Sequence, residues 1–369
     1  MILLLHNRYR IPGGEERAVE DLRWLIAEHL GEDVEVLERD SAGLSAGAAA
    51  RGLAGGGLDP GEVAKAVRLT GARVVHAHNL HPTLGRRALE AARGAGARVV
   101  VHLHNYRLVC AVGVCFTRGE DCTRCHGRRT WPGVRLNCRG GSRAEALAYA
   151  IGLARQQRGI AAAAERFVVP SDFALQRLRG LKAPVGDRAT VIPSVQRSFA
   201  ERSSAAGGEY VLYAGRLTLE KGAFDAVEAC RRAGRPLVVA GEGPAAGDLA
   251  RAAAGADVRF TGRVSGPDLD ALRVRAAAAI VPSRYEEILP LAALEAMAAG
   301  LPLVATRSGG LTEIVPEEGL APIGDVDALA ARLEALFGDA VAGERALARV
   351  RERCSPERVA EQLRAVYDA

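Results

Sequence analysis

Aromatic side chains are scarce, at 4% of 369 residues, and no stretch sets them among clustered lysines and arginines. A surface that stacks bases or tracks a nucleic-acid backbone is therefore excluded. Lysine is scarcer still: Lys65, Lys182 and Lys221 are the only three, and arginine supplies the rest of the positive charge. With abundant Ala and Gly, that bias points to a GC-rich bacterial genome. No apolar run reaches membrane-spanning length, and the opening MILLLH is too short and lacks the basic flank of a signal peptide. It reads as a first strand, and the chain as cytoplasmic. The net charge of +5 is modest and suits anionic substrates or peripheral contact with an anionic membrane surface.

What is present suits a globular chain, with 49% hydrophobic and 25% charged residues, and the length is ample for two cores. Short apolar runs alternate with helical stretches twice over. ILLLH, VEVLE, RVVHAH, RVVVHLH, FVVP and TVIPS form the first series; YVLYAG, LVVAG, VRFTG, AAIVP and LVAT form the second. Such alternation predicts an α/β fold of two Rossmann-like, doubly wound domains. Polar, aperiodic residues between the series mark a linker. The expected boundaries are 1–194 for the first domain, 195–208 for the linker, 209–354 for the second domain and 355–369 for a last amphipathic helix. The Gly- and Ala-rich run from Ser41 to Leu58 reads as a mobile loop.

The most informative stretch is Ser283 to Thr306, SRYEEILPLAALEAMAAGLPLVAT. A strand runs into a polar turn, Pro290 opens a helix, Gly300 ends it, and Pro302 precedes the next strand. Free N–H groups at such a helix start, beside the carboxyl end of a parallel strand, suit a phosphate. Glu287 lies before that start and Glu295 within the second turn, so each can hold hydroxyls on one side of a diphosphate. Arg216 and Lys221 share another strand-to-helix turn, GRLTLEKG, where two cations can neutralise a diphosphate without a metal. Gly13 and Gly14 occupy a turn after the first strand and permit close approach of a ligand to the backbone. His78, His81, His102 and His104 lie at or just beyond the carboxyl ends of two buried strands.

Glu287, Glu295, AMAAGLPLVAT and Gly309-Gly310 resemble the signature of family 4 of the retaining glycosyltransferases, which have the GT-B fold of two facing Rossmann-like domains. The resemblance implies that Glu287 contacts the transferred sugar, that the amides around Ile288, Leu289 and Leu291 hold sugar and phosphate, and that Glu295 binds the ribose. It implies phosphate binding by Arg216 and Lys221, and base contacts from the turns at Gly241 and at Arg263-Val264. It assigns Gly13 and Gly14 to a loop meeting donor phosphate and acceptor. His104, in HNYR, is implied to face the donor sugar and joins Glu287 as a catalytic candidate. The last helix is implied to return to the first domain. One departure stands out: Leu289-Pro290 replaces the family's commoner Phe-Gly, so Pro290 cannot donate an amide and a shifted sugar pose or a different donor sugar is expected.

Five of the seven cysteines fall between Cys110 and Cys138, in an insert spanning 105–141. Cys110, Cys122, Cys125 and Cys138 have the spacing of a four-thiolate structural zinc site, with free thiols and redox-active pairs as the alternatives. Cys115 is left over. Arg128, Arg129, Arg135, Arg139 and Arg143 surround this stretch and face an anionic acceptor, lipid headgroups or solvent.

The reading is a metal-independent hexosyltransferase acting on a nucleotide-diphosphate sugar, with UDP the expected nucleotide. The acceptor stays open among polysaccharide precursors, lipid-linked sugars and antibiotic aglycones. Two alternatives share the pocket: a non-hydrolysing sugar-nucleotide 2-epimerase, and a catalytically silent sugar-nucleotide-binding protein.

Overall fold

The computed structural model describes residues 1–9, 13–139 and 141–369, and the chain divides into two units. One comprises Met1–Thr117, Cys122–Val195 and Pro356–Ala369; the other comprises Arg118–Asp121 and Gln196–Ser355.

The first unit opens with strands β1 (Ile2–Arg8), β2 (Val34–Asp40), β3 (Val74–Ala77) and β4 (Arg98–His102). Two strands of two residues each, β5 (Phe116–Thr117) and β6 (Glu120–Asp121), come next in the chain, and β7 (Arg166–Val169) and β8 (Ala189–Val191) complete the first unit's strands. The main sheet has the order β2-β1-β3-β4-β7-β8, with every pair parallel. In the second unit, β9 (Tyr210–Ala214), β10 (Leu237–Ala240), β11 (Val258–Gly262), β12 (Ala276–Val281), β13 (Leu303–Thr306) and β14 (Leu320–Ala321) form a parallel sheet. Its order is β11-β10-β9-β12-β13-β14. This is the GT-B class of α/β architecture.

Local preference and burial compete in these sheets. Strand β12 reads AAAAIV and all six residues are buried. Alanine favours helix, but a central parallel strand covered on both faces needs continuous apolar character, and tertiary pairing overrides the propensity. The reverse holds for Ser41–Leu58, expected as a loop. There Ala46–Gly55 is helical, because Ser45 accepts the Ala48 amide at 3.2 Å and the alanines that follow propagate the turn.

The segment read as a linker is hydrogen-bonded along its length. The Gln196 amide donates to Cys354 O at 2.9 Å, the Ala200 amide to Ala298 O at 2.8 Å, and the Ser203 hydroxyl to Gly300 O at 2.6 Å. Its polar composition serves these bonds within the second unit. The last helix, Pro356–Asp368, belongs to the first unit and buries Val359, Leu363, Val366 and Tyr367 there. Each such side chain contributes about 1.5–3 kcal/mol by leaving water, and the Tyr367 hydroxyl is 2.7 Å from His76 Nδ1.

Chain order along each sheet reverses once, between β1 and β3 in the first and between β9 and β12 in the second. Loops leaving the carboxyl ends of those strands diverge to opposite faces and open a crevice for ligands. Among the described residues, no helix is long and apolar enough to cross a membrane.

Candidate active site

The second unit's crevice lies between the turn after β9 and the loop after β12. Gly222 closes the turn in a left-handed conformation, φ +70°, and a Cβ there would meet Pro282 O at 1.8 Å. Only glycine lets the Lys221 turn press against the residue that follows β12. The consequence is an ion pair between the two loops: Lys221 Nζ lies 2.7 Å from Glu287 Oε1. Ser283 Oγ donates to the same oxygen at 2.6 Å, the Tyr285 hydroxyl donates to Oε2, and Lys221 Nζ reaches the Tyr285 oxygen at 3.1 Å. Glu287 is 3% exposed. Burial pushes the Tyr285 hydroxyl well above its ordinary pKa, so it stays a donor to the carboxylate. A buried carboxylate held by a part-exposed ammonium and two hydroxyls makes a preorganised dipole whose parts are expensive to separate.

Arg216 follows the same strand and is exposed; its carbonyl accepts the Tyr213 hydroxyl at 3.1 Å. The helix after the Glu287 loop runs from Leu291 to Ala298, with Pro290 at the N-cap and no side chain capping it. Its opening amides are therefore open to an anion, as expected, but the cap lies at Pro290 itself rather than before it. Ile288 is buried, and Leu289 and Leu291 pack against the second unit's core. These three shape the loop from below. Glu295 accepts from the Arg273 guanidinium, which also pairs with Asp270 at 2.6 Å. Its two oxygens leave further lone pairs for hydroxyls. On the other side of β9, the Gly241 amide donates to Gly262 O at 2.9 Å, and the Arg263 amide lies 3.4 Å from Glu242 Oε1. Val264 is partly buried on the core.

Tyr285, Ser283 and Arg273 were missed in the sequence. Tyr285 and Glu287 are alternate residues of one extended loop, and Ser283 begins it; that period of two was the available signal. Arg273 lies on a different helix, Gly266–Val274, and nothing in its local sequence points at Glu295.

The first unit's crevice has different chemistry. Gly13 is the N-cap of helix Gly14–Leu25, and the middle of the preceding loop, residues 10–12, lies outside the described residues. Glu16 turns back: its oxygens accept the Tyr9 amide at 2.9 Å and the Gly13 amide at 2.7 Å. Although burial raises its pKa, bonds from His6 and these amides hold Glu16 down at about 2. The Gly13 amide expected to meet a phosphate is thus occupied by a carboxylate, which repels one. Beside it, the Tyr9 hydroxyl donates to Glu15 at 2.7 Å, and Asn105 Nδ2 reaches Glu15 at 3.2 Å.

Five histidines gather at this edge. His104 Nε2 is 2.8 Å from His78 Nδ1, and the His102 and His104 rings stack 3.9 Å apart at 11°. His76 and His102 stack in turn at 5.4 Å, and His6 meets His78 edge-on. Burial lowers the pKa of His76 and His81 to about 3 and depresses those of His78, His102 and His104. Ligand atoms of His78, His102 and His104 lie within 4.8 Å of one another. Near-parallel rings, however, aim their lone pairs side by side instead of at one point, so the stack is a poor metal cage.

Residues 208–339 match the family described as Glycosyl transferases group 1. That match lies within the second unit. The chain is 38% identical over 179 residues to a glycogen synthase of Mycobacterium tuberculosis, a match covering 45% of this chain and 43% of the relative. A GDP-mannose-dependent phosphatidylinositol dimannoside mannosyltransferase of the same organism is 41% identical over 111 residues, covering 28% of this chain and 29% of its own. The chain thus spans less than half the length of these relatives. In fold it is similar to sucrose-phosphate synthase of Thermosynechococcus elongatus, with TM-score 0.70, 18% identity, and coverage of 100% of this chain and 98% of that one. Anabaena HepE in complex with UDP and glucose gives TM-score 0.65 at 18% identity, covering 100% and 99%.

Proposed function

We propose that the chain is a retaining glycosyltransferase of family 4 that takes a sugar from a UDP-sugar and passes it to a hydroxyl of a polysaccharide precursor, lipid-linked sugar or antibiotic aglycone. One observation carries the reading: Lys221 and Glu287 meet at 2.7 Å in the crevice between β9 and β12, beside an exposed Arg216 and an uncapped helix start. The mycobacterial relatives and the UDP-bound Anabaena protein support it. In this mechanism the diphosphate lies against the opening amides of Leu291–Ala298, with Arg216 and Lys221 on its oxygens. Charge builds on the leaving diphosphate as the anomeric bond breaks, and these groups stabilise it without reorganisation. Glu287, held by Ser283 and Tyr285, faces the sugar hydroxyls, and Glu295 binds the ribose.

Product analysis with UDP-glucose and GDP-mannose, with and without a mixture of lipid-linked and soluble sugar acceptors, tests this. The expected result is UDP release coupled to a product that keeps the donor's anomeric configuration. Isomerised donor without acceptor, binding without turnover, or use of the GDP-sugar in preference would overturn it.

A further inference from the structure

Five cysteines from separated parts of the insert converge on one cavity. Cys110, Cys115, Cys122, Cys125 and Cys138 line it with Phe116, and it has a volume of about 10 Å³, close to one water-sized sphere. Regular structure around it is minimal, two strands of two residues each and the helix Trp131–Arg135. So little regular structure around five converging sulfurs suits a cross-link at the cavity. No disulfide joins the cysteines in this structure.

Backbone donors also converge on two of these sulfurs. Amides of Val112, Gly113 and Cys115 and the Cys115 thiol are directed at Cys110 Sγ, and the Gly133 amide at Cys125 Sγ. Residues 113 and 115 reach these positions with φ of +83° and +51°, a tight knuckle in which successive N–H groups point inward. Such amide donors serve a thiolate far better than a neutral thiol.

From this we propose that the insert binds one zinc ion through Cys110, Cys122, Cys125 and Cys138, with Cys115 outside the ligand set as a hydrogen-bond donor to the Cys110 sulfur. Zinc suits four thiolates, and the cavity is the size of one ion with its ligands drawn in. The sulfurs share the cavity without three of them closing to the 4.8 Å spacing that His78, His102 and His104 show among the described residues, so binding pulls the knuckles together. The ion fixes the insert and takes no part in sugar transfer.

Metal content of the full chain, purified without chelator, decides this. The expected result is one equivalent of zinc, replaceable by cobalt(II) with the charge-transfer absorption of a tetrahedral thiolate site. Cys125→Ser loses the metal, whereas Cys115→Ala keeps it with affinity lowered about 10- to 100-fold, the usual cost of an outer partner. His102→Asn leaves the content unchanged. If the cysteine variants fail to fold, the cobalt spectrum of the unaltered chain still reads the ligands. Metal-free protein, a disulfide among these cysteines, or a cobalt spectrum of nitrogen ligands lost in His102→Asn would each overturn the proposal.

Discussion

The two crevices share a topology and differ in everything a ligand would meet. Between β9 and β12 the chain sets Lys221, Arg216 and a bare helix start, with the buried Glu287 carboxylate neutralised by the ammonium. Between β1 and β3 it sets Glu15 and Glu16, stacked neutral imidazoles, and an amide already taken by Glu16. A diphosphate is attracted to the first arrangement and repelled by the second. Sheet order therefore locates a site, while the residues grafted on the loops decide its chemistry.

Acid is the strongest way to separate the units. All eight histidines precede residue 196, so the second unit has none. His76 and His81 titrate near 6.5 when unfolded and near 3 when folded. The unfolded chain then binds more protons between those values, so the stabilisation is complete above pH 6.5 and is lost as pH falls toward 3. At about pH 4.5 these two together should cost the first unit about 5 kcal/mol. Trp24 and Trp131 both lie in that unit, so tryptophan fluorescence in urea reports it alone. A midpoint that stays constant from pH 7 to 4.5 would break the comparison.

Lys221→Ala comes next in size. Removing a preorganised cation from a developing diphosphate should lower turnover on the order of 10²- to 10³-fold, read from initial rates at saturating donor. It also strands the Glu287 carboxylate, so a melting curve should accompany the rates and show a loss of stability.

Glu16→Gln is the smallest of these effects. A carboxamide can accept only one of the two amide hydrogen bonds that Glu16 now takes, and the first unit should lose about 1–3 kcal/mol. UDP affinity should not change. A gain in UDP affinity would mean that the first crevice also takes the phosphate once its carboxylate is removed.

The fold was legible because alternation of apolar runs and helices is a strong, repeated signal. The Glu287–Glu295 helix was legible for the same reason, with Pro290 and Gly300 marking its ends. One misreading came from composition. Ala46–Gly55 has the look of a loop by its glycines, yet Ser45 and the alanines make it helix. A partner remote in sequence was out of reach: Arg273 on Glu295 depends on how elements meet, which no local period records. Glu16 on the Gly13 amide is a local capping contact three residues along, and its spacing was available in the sequence.

The most direct test of the central claim is calorimetric titration of UDP into the unaltered chain and into Glu295→Ala and Glu287→Gln. Losing a carboxylate on the ribose hydroxyls should weaken UDP by about 10- to 100-fold in Glu295→Ala. Glu287→Gln should bind UDP as well as the unaltered chain or better, because Lys221 is freed from its 2.7 Å ion pair, while transfer falls. Equal loss of UDP affinity in both variants would contradict the division between a nucleotide-binding Glu295 and a sugar-facing Glu287.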